Sequence, residues 1–279
     1  MARQERRTTP LLSKFGPLQT FEEQEPHLIG AEWRGRKWAF AQAQTGTSLS
    51  DVGILDLHNA MFEPLLTWAG QSRTEDVGPG GKVQVPYYRV RLELRKLADD
   101  FAAWMAVAGR DPTLQEIASI VADTHHRFQW IHPFVDTNGR TGRVLDHWVL
   151  WSSFALCGQS MEASPIIEYF PSAVEEDNYY EGLNEADLHS PQRLRAFYLA
   201  RLEHALTPVF TIHWWDGANR TSCVAIHDSL DSAVDDLIRC SKEDPTHRFV
   251  LRGEGGYTVV YALGGKLVNL NGLEVQRPR

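Results

Sequence analysis

Cysteine is scarce in this sequence. Cys157, Cys223 and Cys240 are the only three in 279 residues, and no metal-ligand spacing joins them. So sparse and odd a set argues against a disulfide scaffold and for a reducing compartment. Long apolar runs are missing as well: none reaches the ~18 residues that a membrane-spanning helix needs. The basic start, Arg3, Arg6 and Arg7, is not followed by the apolar stretch of a signal peptide. The cytoplasm is therefore the expected location, although a secretion signal that is not cleaved leaves no such trace. Positive charge is also short. The net charge of −8 argues against a general nucleic-acid binder. Internal repeats and low-complexity stretches are absent.

What is present suits a soluble globular protein, with 43% hydrophobic and 23% charged residues and enough length for one large domain or two smaller ones. Residues 1–20 read as an irregular lead. Residues 21–44 are helix-compatible, with Pro26 near the start. Ser50 is a good N-cap for a helix carrying Ile54, Leu57, Met61 and Leu65, which reads to about Thr67 with a kink at Pro64. Gly78 to Gly81 is a turn cluster, and Lys82, Val83, Gln84 and Val85 alternate as a strand would, giving a short hairpin at about 75–86. Helical periods follow from Pro86 to Met105, from Thr113 to Phe128, after Asn138, after Ser172 and from Leu194 to Leu206. From Pro208 the grammar changes to strand-like runs around one helix, Ser229 to Ser241. The expected architecture is a mainly α bundle over 21–206, followed by a small α+β appendage over 207–279.

Residues 131–143, Ile-His-Pro-Phe-Val-Asp-Thr-Asn-Gly-Arg-Thr-Gly-Arg, organise the chain. They read as a loop feeding the first turn of a helix, where backbone N–H groups lack internal partners and the dipole favours anions. Gly139 lets a ligand approach the backbone. Arg140 and Arg143, three apart, project from one side of that turn as guanidinium clamps for phosphate. Asp136 is placed to hold a divalent metal against those phosphates. His132 is placed to take a proton from a hydroxyl.

This run resembles the signature of the Fic family, His-Pro-Phe-x-(Asp/Glu)-Gly-Asn-Gly-Arg-x-x-Arg. Every fixed position agrees except one, where Thr137 replaces glycine. Leu57-His58 with Met61-Phe62, Trp68-Ala69-Gly70 with Arg73-Thr74, His125-His126-Arg127, and Tyr179-Tyr180 with Leu183 and Ala186 are similar to other parts of the family. The resemblance spans residues 17–205 and is greatest to the group called mobile mystery protein B. It implies a helical bundle with an inserted β-hairpin flap. The implied activity is transfer of AMP from ATP to a Tyr, Thr or Ser hydroxyl of a target protein. His132 would be the general base and Asp136 the Mg²⁺ ligand. The backbone of Thr137, Asn138 and Gly139, with the Asn138 side chain, would form the anion hole, and Arg140 and Arg143 would bind the distal phosphates. Phe134 would anchor the loop in the core. Tyr180 falls where an adenine contact is expected. Lys82 to Val85 would be the flap that docks the target edge-to-edge. An antitoxin or self-association would be a further partner of the kind this family uses.

Three points stay open at this stage. Doc-type relatives transfer phosphate and carry lysine where Gly139 stands, and a non-catalytic Fic relative or another nucleotide is the remaining alternative. Thr137 is a β-branched residue at a position that favours positive φ, so either the loop keeps ordinary dihedrals or activity is tuned down. Finally, the family's inhibitory (Ser/Thr)-x-x-x-Glu-(Gly/Asn) helix has only a decayed counterpart around Thr20 and Glu25, with Arg143 as the charge it would meet. His58, His125 and His126 read as packing or loop-supporting residues.

Overall fold

In a computed structural model of the chain, the described residues are 11–18, 20–78, 84–109, 112–157, 165–167, 169–170, 173–206, 210–215, 221–227, 230–246, 248–252, 258–268 and 276. The chain divides into two compact units, Met1–Leu202 and Glu203–Arg279. The first is helical: α1 Phe21–Gln44, α2 Asp51–Phe62, α3 Val90–Val107, α4 Leu114–Ile131, α5 Asn138–Leu156, α6 Ala173–Asp187 and α7 Gln192–Leu206, the last crossing the division. Local chemistry starts these helices. Thr20 and Glu23 form a reciprocal capping box on α1, Thr113 and Glu116 another on α4, and the Ser50 hydroxyl accepts from Gly53 N on α2.

Three expectations need correction. Within the lead expected to be irregular, Leu11–Ser13 (β1) and Gly16–Leu18 (β2) pair antiparallel. The turn is closed by the Ser13 hydroxyl, which donates to Gly16 O and accepts from Phe15 N, and Gly16 supplies φ 111°. Helix α2 stops at Phe62 instead of running to Thr67. Pro64 has no N–H to continue the ladder, and the amides of Leu65 and Leu66 both turn back to Phe62 O. Of the expected strand, Lys82 and Val83 lie outside the described residues, while Gln84 and Val85 are irregular. Val85 is buried, and its carbonyl is taken by Arg73.

Helix α5 is the centre of the bundle. Val144, Leu145, Trp148, Val149 and Leu150 are all buried, so it packs on several sides. Helix α1 lies against α2 and α5 at glycine distance: a Cβ on Gly35 would stand 2.5 Å from Met61 Cγ and 3.0 Å from Val144 Cγ1. Trp38 on α1 meets Trp148 edge-on at 5.1 Å. Helix α4 meets α5 the same way, since a Cβ on Gly142 would fall 2.4 Å from Gln129 Nε2 and 3.2 Å from His125 Cε1. Burying each large apolar side chain contributes roughly 1.5–3 kcal/mol.

The second unit is α+β. Strands β3 Phe210–Trp215, β4 Thr221–His227, β5 Arg248–Arg252, β6 Thr258–Leu263 and β7 Lys266–Val268 form an antiparallel sheet in the order β4-β3-β5-β6-β7. Helix α8, Leu230–Glu243, links β4 to β5 across β3. Its Ala233, Val234 and Leu237 cluster with Ile212, Phe249, Leu251 and Ala262 into a core separate from that of the bundle. A chain ending after Leu206 is therefore expected to unfold cooperatively within a few degrees of the full-length protein, read by circular dichroism. Aggregation of the shortened chain beside a soluble full-length protein would show that the bundle core depends on the sheet.

Candidate functional site

Helix α4 ends by delivering His132. This residue is its C-cap and takes a left-handed backbone, φ 48° and ψ 62°, with its N–H still bonded to Phe128 O at 2.9 Å. For a residue with a Cβ, that conformation costs about 1–2 kcal/mol and needs surrounding contacts to persist. Arg73 supplies them, donating from Nε to His132 O and from its backbone N to Pro133 O, each at 2.8 Å. His132 Nδ1 lies 3.2 Å from Gln129 O. A carbonyl can only accept, so Nδ1 carries the ring proton and Nε2 remains the acceptor. Burial, and after it the Arg73 cation, hold the imidazole below its ordinary pKa, against the opposing pull of the Gln129 carbonyl and Asp136. The ring is thus neutral near pH 7.

The loop closes on itself at Asn138. Its side chain, expected in the anion hole, instead accepts from Phe134 N at 2.9 Å and donates to Phe134 O at 2.8 Å, fully buried. Asn138 therefore shapes the loop rather than offering its amide to a ligand. Phe134 anchors the loop beneath it, stacked at 3.7 Å on the ring of His58. Thr137 is the N-cap of α5 and is left-handed, φ 66° and ψ 8°. The loop has thus kept the geometry of a glycine position with a threonine in it. The hydroxyl explains how. Gly70 N donates to His58 Nδ1 at 2.9 Å, so the proton sits on Nε2 and is donated to Thr137 Oγ1 at 3.0 Å. Thr137 Oγ1 in turn donates to Asp136 O at 2.5 Å. Burial lowers the His58 pKa to about 3, which keeps this ring neutral and its tautomer fixed.

The first helical bond of α5 runs from Thr141 N to Thr137 O, which leaves the N–H groups of Asn138, Gly139 and Arg140 outside the ladder. A Cβ on Gly139 would meet only Arg143 Nη1, at 3.5 Å, so the protein itself has room for a side chain there. The glycine leaves the approach open for a ligand. The two arginines converge on one acid, Glu32 of α1, whose Oε1 lies 3.7 Å from Arg140 Nε and 3.9 Å from Arg143 Nη2. Glu25, two turns earlier on the same helix, is exposed, in keeping with a decayed motif, and Glu32 is an acid that sequence reasoning does not single out. The Arg143 guanidinium also lies over the rings of Phe170 at 5.3 Å and Tyr169 at 5.9 Å.

His132, Gln84 and Tyr180 line one cavity of about 720 Å³, together with Gln129 and Trp130. Tyr180 is half-exposed and stacks on Phe170 at 6.3 Å. Asp136, Arg140 and Arg143 are not on the cavity wall. Asp136 is exposed and accepts from Thr137 N. Among the described residues no group of three His, Cys, Asp or Glu side chains is placed to hold a metal by itself. A lone exposed carboxylate next to the open N-terminus of α5 nonetheless has the chemistry of a Mg²⁺ ligand, since that ion is usually shared between one or two carboxylates and the phosphates of its substrate.

Sequence reasoning missed a polar cluster behind Arg143. Asp146 on α5 is fully buried, and its Oδ2 accepts from Tyr169 at 2.6 Å and Tyr198 at 2.7 Å. His125 Nδ1 stands 2.7 Å from the same oxygen, off the hydrogen-bonding direction, while His125 Nε2 meets the Tyr179 hydroxyl at 2.7 Å. Burial drives the hydroxyl pKa of Tyr169, Tyr179 and Tyr198 upward, so they stay protonated. The available signal was an acid inside the apolar run Val144–Leu150, where an unpaired charge is not tolerated.

The model of the Fic/DOC family matches residues 48–150. The chain contains a Fic domain. A protein adenylyltransferase Fic from Nematostella vectensis is 32% identical over 97 residues, covering 34% of this chain and 19% of that protein's length. Among solved structures, a Fic-domain signalling protein from Bacteroides thetaiotaomicron matches with a TM-score of 0.55 and 17% identity, over 70% of this chain and 75% of its own. The Bartonella tribocorum effector BepC, solved with bound AMPPNP, matches with a TM-score of 0.50 and 16% identity, over 70% and 93%. At such identities these structures establish the fold, a helical bundle of the Fic type.

The left-handed Thr137 of this Fic domain makes a prediction for stability. Thr137→Gly removes the backbone strain, about 1–2 kcal/mol, but also the acceptor of a buried His58 N–H, about 1–3 kcal/mol, so its net effect should be small. Thr137→Val keeps the strain and loses the hydroxyl, so it should destabilise by about 1–3 kcal/mol. Denaturant midpoints check the order. A valine variant as stable as wild type would remove the hydroxyl from this account.

Proposed function

We propose that this chain is a protein adenylyltransferase, moving AMP from ATP to a Ser, Thr or Tyr hydroxyl of a target protein. The observation that carries this reading is the short loop joining a neutral His132, with Nε2 as its acceptor, to the open α5 N-terminus with Arg140 and Arg143. A proton acceptor and an anion site one loop apart suit attack of a hydroxyl on a phosphoryl group. AMPPNP in the related BepC structure supports a nucleotide as the ligand, and the name of the Nematostella relative supports adenylyl transfer.

In this reading the α5 N–H groups and the two arginines hold the phosphates, with Tyr180 beside the base. The target hydroxyl enters the cavity next to His132. Its oxygen bonds to the α-phosphorus as the bond from that phosphorus to the bridging oxygen of pyrophosphate breaks, and its proton passes to His132 Nε2. Mg²⁺ held by Asp136 would neutralise charge on the departing pyrophosphate. Gln84 and Val85, at the end of the segment that would dock the target, lie close enough to the site for Gln84 to line the same cavity as His132.

ATP labelled at the α-phosphate should therefore label protein, and ATP labelled at the γ-phosphate should not. His132→Ala should lower transfer by about 10²–10⁴-fold and leave ATP binding nearly intact. Because a base must be deprotonated and the His132 pKa is held below 6.5, transfer should rise with pH through a pKa below that value and be flat above it. Label from the γ position alone would replace AMP transfer by phosphotransfer, and no label would leave a binding protein or a repressed enzyme.

Glu32 also bears on activity. Its carboxylate stands where distal phosphates would meet Arg140 and Arg143, so it competes with the nucleotide. Glu32→Gln should raise self-labelling about tenfold or more, equivalent to about 1.4 kcal/mol of barrier, while Glu25→Gly should change it little. Equal rates for wild type and Glu32→Gln would mean that the acid does not restrain the site.

A further inference from the structure

Arg73 touches no reacting atom in the transfer scheme, yet its side chain has no exposed surface. It lies in the connection between α2 and α3 and binds three separate segments. Nε donates to His132 O at 2.8 Å and Nη2 to Ile131 O at 3.3 Å. These are terminal carbonyls of α4, which lack helical partners and lie at the negative end of the helix dipole. Nη2 also donates to Val85 O. Nη1 donates to Glu75 O at 2.8 Å and lies 3.4 Å from Asp76 Oδ1, an oxygen that accepts from Tyr87 N at 2.7 Å. One guanidinium thus ties residues 75–76 and 85 to 131–132, and its backbone N–H extends the tie to Pro133.

We propose that Arg73 is a positioning residue for transfer: its guanidinium fork holds His132 in the left-handed backbone and sets it against Val85, where the target arrives. The inference rests on the proposed adenylyl transfer. The left-handed backbone at His132 is disfavoured, and without N–H donors to its carbonyl and that of Ile131 the residue is free to fall back into the ordinary helical region. That would swing Nε2 away from the hydroxyl. A displacement of about 1 Å at a reacting group costs on the order of 10²-fold in rate. Only arginine reaches carbonyls lying in several directions from one planar fork, since the donors of lysine leave a single atom. The nucleotide side is held independently: Glu32 lies at the two motif arginines, and the Asn138 and His58 bonds hold the loop.

The test is a split between nucleotide binding and transfer in the full-length chain. Arg73→Lys and Arg73→Gln are compared with wild type for ATP dissociation constant and for the rate of labelling from α-labelled ATP at saturation. The expected result is a fall of at least about tenfold in the saturated rate for both variants, with lysine giving no rescue, and an ATP dissociation constant within about threefold of wild type. Two results overturn the proposal. One is a saturated rate within about threefold of wild type in the lysine variant. The other is loss of ATP binding in step with transfer in both variants, which marks a purely structural role. Wild-type and Glu32→Gln proteins that both bind ATP but label nothing would instead count against the transfer reading itself.

Discussion

The site depends on one constraint: the short loop between α4 and α5, which pack closely at Gly142, begins and ends with left-handed residues. Neither His132 nor Thr137 is glycine, so both positions carry strain that neighbours must offset. Three separate contacts do so. Arg73 takes the carbonyls around His132, the Asn138 amide clasps Phe134, and His58 donates to the Thr137 hydroxyl. Each partner comes from a different stretch of chain, and each is buried. The loop is therefore rigid before any ligand arrives, which is the condition for a proton acceptor and an anion site to act together.

Electrostatics divides the site in two. On one side a partly buried His132 is kept neutral by desolvation and by the cation behind it. On the other, Arg140 and Arg143 share the charge of Glu32, at distances too long for direct hydrogen bonds. Such a pairing balances charge without saturating the guanidinium donors, so an incoming anion can take over the same positions. The Asp146 cluster behind Arg143 makes the opposite choice. Its tyrosine hydroxyls donate to a buried carboxylate, and α5 is thereby tied to Tyr169 and to Tyr198 of α7.

Much of this was legible in order along the chain. Capping residues and periodicity are local signals, so Ser50 and Thr113 mark helix starts that the structure has at those places, while the Thr20 cap of α1 was not read from the sequence. The change from helical to alternating pattern near Pro208 likewise marks the passage from a helical bundle to the sheet around α8. The motif put His132, Thr137, Gly139, Arg140 and Arg143 at a helix junction because short-range geometry follows directly from spacing.

The sequence by itself determined the helix starts, the loop between α4 and α5 and the types of residue on it. The tertiary structure decided which groups those residues meet. It put Glu32 rather than Glu25 at the arginines, because the packing of α1 against α5 selects which turn of α1 faces them. It turned the Asn138 side chain inward, let Thr137 occupy a glycine conformation through a histidine 79 positions away, and gave Arg73 its carbonyls across 58 and 59 positions. Such partners are fixed by how helices pack and not by local spacing. A hydrogen bond or ion pair depends on distances of a few ångströms between elements, and no local pattern of residue types encodes those distances.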